Sequence, residues 1–205
     1  MSANKIQFHK LLSQAWLVLI LAAFYGGGLA FIHITLSPRI AANIKNETYS
    51  LIPTLVGNPE QYEVTERDLV LQDRSALKVY EVKNGASEGV GWVIPASSMG
   101  FADKISLLVG IDYQFERITG MEVIDQKETP GLGNLIIDEK WRDQFKGKST
   151  AQDIEVVKRP VDADQEVEAV TGATISSVTV AVAINETLAK ARPEIERLLN
   201  EPISE

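Results

Sequence analysis

The stretch Leu77-Lys78-Val79-Tyr80-Glu81-Val82-Lys83-Asn84-Gly85-Ala86-Ser87-Glu88-Gly89-Val90-Gly91-Trp92-Val93-Ile94 decides the fold of the globular part of this chain. Residues 77–83 and 89–94 are rich in β-branched and aromatic side chains, which is typical of strands. The dipeptide Asn84-Gly85 between them is a strong turn signal. The segment therefore predicts two antiparallel strands joined by a turn.

Strand and helix patterns extend from this pair towards both ends of the chain. Four more short strands are predicted, at residues 68–72, 105–112, 117–125 and 154–159. Apolar residues at helical spacing predict three helices, at residues 39–56, 138–145 and 175–191. β-branched residues leave a strand open for part of the last segment. The expected fold class is α+β, an antiparallel sheet flanked by helices.

The N-terminal segment is apolar and carries no charged side chain from residue 11 to residue 38. A membrane-spanning helix needs roughly 20 largely apolar residues, and this run supplies them. The alternative is a cleaved signal peptide, whose apolar region is usually only about 7–15 residues long. We therefore expect a single transmembrane helix in an anchor of residues 1–38, followed by one soluble domain of residues 39–205.

Composition excludes several classes of function. The formal net charge is −8, which argues against nucleic acid as a partner because phosphate backbones attract basic surfaces. The chain has no cysteine, so disulfides, thiolate-bound zinc and cysteine-held iron–sulfur clusters are excluded. Its two histidines, His9 and His33, both lie in the N-terminal segment. We therefore predict no catalytic residue and no metal site in the soluble domain.

Two short motifs in the soluble domain attract attention for their chemistry. The first, Thr171-Gly172-Ala173-Thr174, directly precedes the predicted helix 175–191. A helix N-terminus offers free N–H groups and the positive end of a dipole, which suits a phosphate. Threonine is also a common N-cap, and on the residues alone that simpler role is favoured for Thr174.

The second motif is a loop of proline and glycine, Glu128-Thr129-Pro130-Gly131-Leu132-Gly133. Pro130 and the two glycines fix a turn and leave backbone amides uncovered, so the loop can bind a flat or anionic ligand. On spacing alone, an ordinary surface turn is the favoured interpretation.

Together the two motifs resemble signatures of a known family. Residues 171–174 are similar to the Ser/Thr-Gly-Ala-Thr flavinylation motif of the FMN-binding domain family. Residues 128–133 resemble a Glu-Thr-Pro-Gly-Leu-Gly signature found in two related proteins. These are the G subunit of the Rnf ferredoxin:NAD oxidoreductase complex and the C subunit of the sodium-translocating NADH:quinone oxidoreductase. The order of span, loop and threonine motif also agrees, so the resemblance covers essentially the whole chain.

The resemblance implies a flavin site with particular residues. FMN would be bound covalently to Thr174 through its phosphate, and a flavin transferase would read the preceding three residues. Ser176 lies where the family often has Thr or Ser. The family often has Gly-Tyr-Gly-Gly where this chain has Met99-Gly100-Phe101-Ala102, and no flavin role is assigned to that segment. The other residues implied to bind or present the cofactor are Thr171, Gly172, Ala173, Glu128, Thr129, Pro130, Gly131, Leu132 and Gly133.

The resemblance also implies a function and a location. The chain would be an electron-transfer component of an ion-translocating oxidoreductase of Rnf type, without independent catalysis. Its partners would be other membrane subunits of the complex and the flavin transferase. Because that transferase works outside the cytoplasm, the domain would face the periplasm or cell exterior from the cytoplasmic (inner) membrane. Three alternatives stay open: the quinone-reductase C subunit, a flavin-free structural or tethering subunit, and a stand-alone extracytoplasmic reductase.

Overall fold

The computed structural model of the protein describes residues 3–71, 74–159 and 164–200. Gln72, at the end of the predicted strand 68–72, lies outside these ranges. So do residues 1–2 of the predicted anchor and residues 201–205 of the predicted soluble domain.

The N-terminal part of the chain forms one long helix, α1 (Ala3–Leu55). Its segment Ala15–Ile40 has the length and composition of a membrane span, with a mean hydropathy of 2.1. The predicted helix 39–56 is the last part of α1 and not a separate element. The chain divides into two compact units after Asn46, so the end of α1 belongs to the same unit as the sheet.

Five strands form one antiparallel sheet in which each strand pairs with the next along the chain. The predicted antiparallel sheet is therefore confirmed. Beyond Val93 the third strand pairs with the fourth strand alone, so this part of it is an edge of the sheet. Pro95 lies in this edge, where its missing N–H donor is tolerated. The strands are β1 (Tyr62–Val70), β2 (Ala76–Asn84), β3 (Gly89–Met99), β4 (Lys104–Asp112) and β5 (Ile118–Asp125).

The turn between β2 and β3 is organised by the Asn84 side chain. Its Oδ1 accepts hydrogen bonds from the backbone N–H groups of Ala86, at 3.0 Å, and Glu88, at 2.9 Å. Asparagine commonly bonds its own backbone in this way and so favours turns. The predicted pair of strands is thus confirmed, with a turn longer than the two residues Asn84-Gly85.

Both faces of the sheet are covered by apolar side chains. On one face, Val180 and Ile184 of the C-terminal helix α3 (Thr174–Asn200) join a core that includes Trp92 of β3. On the other face, Ile52 and Leu55 at the end of α1 pack with residues of β2, β3 and β4. The helix predicted at residues 175–191 is confirmed and continues to Asn200, and the alternative of a strand there is wrong.

Glycine permits the close approach of α1 to the sheet. A Cβ atom at Gly110 would collide with the carbonyl oxygen of Leu55, the last residue of α1. The hydroxyl of Thr119 donates a hydrogen bond to that same oxygen at 2.5 Å. The helix end is therefore held against β4 and β5 by a polar contact that only a glycine leaves room for.

Short elements connect β5 to α3. A 3₁₀ helix, Gly133–Ile137, precedes α2 (Glu139–Arg142) and a further 3₁₀ turn, Asp143–Phe145, so the predicted helix 138–145 is only partly α-helical. Two short parallel strands follow, β6 (Glu155–Val157) and β7 (Glu166–Glu168). The strand predicted at 154–159 is shorter than expected, and the sequence analysis missed β7.

Candidate functional site

The threonine motif forms a tight turn that begins α3. Gly172 has a φ of +80°, a backbone conformation that favours glycine. The hydroxyl of Ser177 accepts from the N–H of Val170 at 3.0 Å and donates to the carbonyl of Ala173 at 3.0 Å, which closes the turn. α3 then begins at Thr174, whose side chain is exposed. The motif therefore presents a hydroxyl at the N-terminus of a long helix.

The proline loop is a second ordered turn. Gly131 has a φ of +76°, and its N–H donates to Asn134 Oδ1 at 2.6 Å. The N–H of Leu132 donates to the carbonyl of Thr129 at 3.1 Å. The 3₁₀ helix Gly133–Ile137 begins directly after this turn. The loop is thus held by one bond within its own backbone and one to the side chain of Asn134.

The two motifs are in contact with each other. A Cβ atom at Gly172 would lie 3.0 Å from Leu132 Cδ2. A Cβ at Gly133 would lie 2.7 Å from Ser176 Oγ and 2.8 Å from Glu128 Cβ. Two glycines, one in each motif, therefore allow the proline loop to pack on the start of α3.

A buried carboxylate joins three segments at this place. Glu128 is only 4% exposed, and its Oε2 accepts a hydrogen bond from Ser176 Oγ at 2.6 Å. Its Oε1 accepts from the backbone N–H of Ala102 at 3.0 Å. Ala102 lies in the turn between β3 and β4, which the N–H of Gly100 closes by donating to Asp103 O at 2.9 Å. Glu128 therefore links the proline loop, this turn and α3.

Opposing effects set the pKa of Glu128. Burial raises its pKa because it removes water from the charged form. The Ser176 hydroxyl and the backbone N–H groups of residues 101–103 lower the pKa, because they donate to the carboxylate. The net pKa lies below its ordinary value, so Glu128 is ionised at neutral pH.

An open cavity of about 400 Å³ lies where the three segments meet. Eight of the predicted site residues line it, together with Phe101 and Ile175, which were not assigned to the site from the sequence. Phe101 is 68% exposed and Ile175 is 56% exposed, so both lie at the rim. The eight are Glu128, Thr129, Leu132, Gly133, Gly172, Ala173, Thr174 and Ser176.

Three predicted site residues lie away from this cavity. Pro130 and Gly131 are exposed and do not line it, and a Cβ at Gly131 would meet no atom within 4 Å. Thr171 instead lines a separate cavity of about 590 Å³ beside Trp141. Among the described residues, the predicted site therefore gathers around Thr174 and Glu128.

The arrangement is suited to a ligand with a phosphate and a flat apolar part. The first N–H groups of a helix lack partners inside the helix and carry partial positive charge, which favours a phosphate beside Thr174. The side chains of Phe101, Leu132 and Ile175 supply apolar surface. No lysine or arginine is among the described residues that line the cavity.

Comparison with known proteins agrees with this chemistry. Residues 100–189 match the FMN-binding domain family. The matched range begins in the β3–β4 turn and includes the proline loop and the threonine motif, so it contains every wall of the cavity. The segment that forms the cavity is therefore similar to FMN-binding domains, the family that the resemblance implied.

Curated relatives of the chain are subunits of ion-translocating oxidoreductases. One is the G subunit of the Na(+)-translocating ferredoxin:NAD(+) oxidoreductase complex of Acetobacterium woodii, 37% identical over 53% of this chain. Another is the C subunit of the Na(+)-translocating NADH-quinone reductase of Vibrio vulnificus, 33% identical over 53% of this chain. The alignments span about half the length of these relatives, 53% and 45% respectively. The G subunit of the ion-translocating oxidoreductase complex of Aliivibrio fischeri is 27% identical over 91% of this chain and 94% of the relative.

Solved structures support the same fold. The crystal structure of NqrC from Shewanella oneidensis matches with a TM-score of 0.55 at 22% identity, covering 73% of this chain and 74% of that one. At this identity the likeness concerns the fold alone, and it agrees with the predicted antiparallel sheet flanked by helices.

Proposed function

We propose that the chain is the G-type electron-transfer component of a membrane-bound ion-translocating oxidoreductase, with FMN joined through its phosphate to Thr174. The observation that carries the proposal is the exposed Thr174 hydroxyl at the start of α3, in the wall of the cavity that the proline loop also lines. Bound FMN would supply the electron transfer, and the chain would hold and orient it. The absence of cysteine and of histidine in the globular unit is consistent with such a division of labour.

The residues present fit FMN in shape and polarity. The helix N-terminus would receive the phosphate, while Phe101, Leu132 and Ile175 would border the ring. Thr171, Gly172 and Ala173 would serve as the sequence that a flavin transferase reads before it acts on Thr174. Pro130 and Gly131 would support the ring only indirectly, since they do not line the cavity.

The extent of the alignments favours the G subunit over the quinone-reductase C subunit. The G-type relatives align over 53–94% of their own length and the C-type relatives over 41–45% of theirs. We propose that Ala15–Ile40 anchors the protein in the cytoplasmic membrane, beside the other members of the complex. The globular unit would then face the periplasm or cell exterior, where the transferase works.

The test of this proposal is the position of covalent FMN. The full chain, produced together with a flavin transferase, should carry one FMN, on the peptide that contains Thr174. Thr174→Ala should remove the adduct. Thr187→Ala is the matched control, because Thr187 belongs to the same helix roughly 20 Å further along it.

The outcomes separate the alternatives. FMN that persists on the Thr174→Ala chain would refute the attachment site. A wild-type chain that never acquires FMN would favour the flavin-free tethering role. Steady turnover of NADH or quinone by the isolated, flavinylated chain would favour a stand-alone reductase over a relay.

A further inference from the structure

The carboxylate of Glu128 occupies an unusual place for a negative charge. It is nearly inaccessible to water, and it lies in the wall of the cavity beside Thr174. Its described partners are the Ser176 hydroxyl and backbone N–H groups, and none of them is a lysine or an arginine. The negative charge is therefore held by dipoles and is not cancelled by a cation.

We propose that Glu128 is a positioning residue that braces three walls of the cavity and makes the bound flavin harder to reduce. This inference rests on the proposed function, because it concerns the flavin held in that cavity. The brace consists of the bonds from Ser176 on α3 and from Ala102 in the β3–β4 turn. It fixes the position of the charge in the wall of the cavity.

The electrostatic effect follows from the sign of the charge. Two-electron reduction of a flavin with uptake of one proton leaves one more negative charge on the ring, and a fixed carboxylate nearby opposes that added charge. Charges interact more strongly at a water-poor site than in bulk water, because the effective dielectric constant there is lower. Removal of the carboxylate charge should therefore favour the reduced flavin.

The decisive variant is Glu128→Gln, which keeps the shape of the side chain and removes its charge. Redox titration of the full flavinylated chain in detergent should show a shift to higher midpoint potential. At a fixed applied potential near neutral pH, the reduced-to-oxidised ratio should rise on the order of tenfold. Glu116→Gln is the control, because Glu116 is exposed and lies in the turn at the other end of the β4–β5 pair.

The second variant is Ser176→Ala, which keeps the charge and removes one donor. Its midpoint potential at neutral pH should lie closer to that of the wild type than to that of Glu128→Gln, because the carboxylate keeps its charge and its bond from Ala102. As the pH falls through the pKa of Glu128, the carboxylate takes up a proton and loses its charge. The difference in midpoint potential between wild type and Glu128→Gln should therefore disappear. In Ser176→Ala the midpoint potential should begin to approach that of Glu128→Gln at a higher pH than it does in the wild type. The reason is that loss of a hydrogen-bond donor raises the pKa of Glu128.

Mass spectrometry first establishes that each chain carries FMN. A wild-type chain without FMN would refute the proposed function and this inference with it. With FMN present, three results would each overturn the inference alone. The first is that Glu128→Gln and Glu116→Gln have equal midpoint potentials. The second is that the difference in potential between wild type and Glu128→Gln does not depend on pH. The third is that the potential of Ser176→Ala at neutral pH matches that of Glu128→Gln.

Discussion

The contact between the two motifs can be tested at Gly133. In Gly133→Ala the new methyl group would lie 2.7 Å from Ser176 Oγ and 2.8 Å from Glu128 Cβ, which is closer than side-chain carbons tolerate. Overpacking of a buried site typically costs about 1–3 kcal/mol. A compact unit of this size loses about 2–4 °C of melting temperature per kcal/mol, so the expected loss is between roughly 2 and 12 °C.

The assay is thermal unfolding of the full chain in detergent, followed by circular dichroism in a double-mutant cycle. Ser176→Ala removes the atom nearest to the new methyl group, so Gly133→Ala should cost less in that background. Gly131→Ala is the control: its strain comes from a φ of +76° with no atom within 4 Å, so its cost should add to that of Ser176→Ala. Strict additivity for Gly133→Ala would refute the packing described between the loop and α3.

Three further predictions concern other parts of the molecule. Gly110→Ala should destabilise the globular unit by about 1–3 kcal/mol in urea unfolding, because its Cβ would collide with Leu55 O. Gly120→Ala is the control and should cost clearly less, because its Cβ would lie 3.4 Å from Leu55 Cδ2. Equal losses of stability in the two variants would contradict the close approach of α1 to the sheet. The hydrogen bond from Tyr49 to Glu66 raises the pKa of Tyr49 to about 12. The stabilising effect of this bond should therefore be complete below pH 10.0 and be lost as the pH rises to about 12. Unfolding curves of Tyr49→Phe across that range should lack this loss of stability. Protease added to intact spheroplasts should remove the globular unit and leave a membrane fragment, and full protection would reverse the proposed orientation.

Local patterns were the part of the fold that the sequence predicted well. The β2–β3 pair follows from β-branched and aromatic side chains and from Asn84, whose turn depends on residues within four positions of it. The start of α3 follows equally from a short motif. Elements that depend on distant partners were missed: β7 is only three residues long and exists by pairing with β6.

The same distinction applies to the candidate site. Thr174 and the proline loop were found from motifs of four to six residues. The bond from Ser176 to Glu128 joins residues 48 positions apart, and no local pattern reports it. Phe101 was set aside because its surroundings depart from the usual family pattern, yet the β3–β4 turn carries its side chain to the cavity rim. A solitary exposed aromatic residue beside a glycine was the available signal.

The contact between Leu132 and Gly172 has a consequence for the order of maturation. The proposed acceptor, the hydroxyl of Thr174, belongs to a motif of four consecutive residues, whereas Leu132 in the opposite wall comes from 40 positions before Gly172 in the chain. A flavin joined to Thr174 before the domain folds would be exposed to water, because the cavity would not yet have formed. Attachment after folding would meet a complete cavity, with Leu132 and Phe101 in its lining. A folded domain could therefore take up the proposed flavin in one step, whereas an unfolded chain would still have to fold around it.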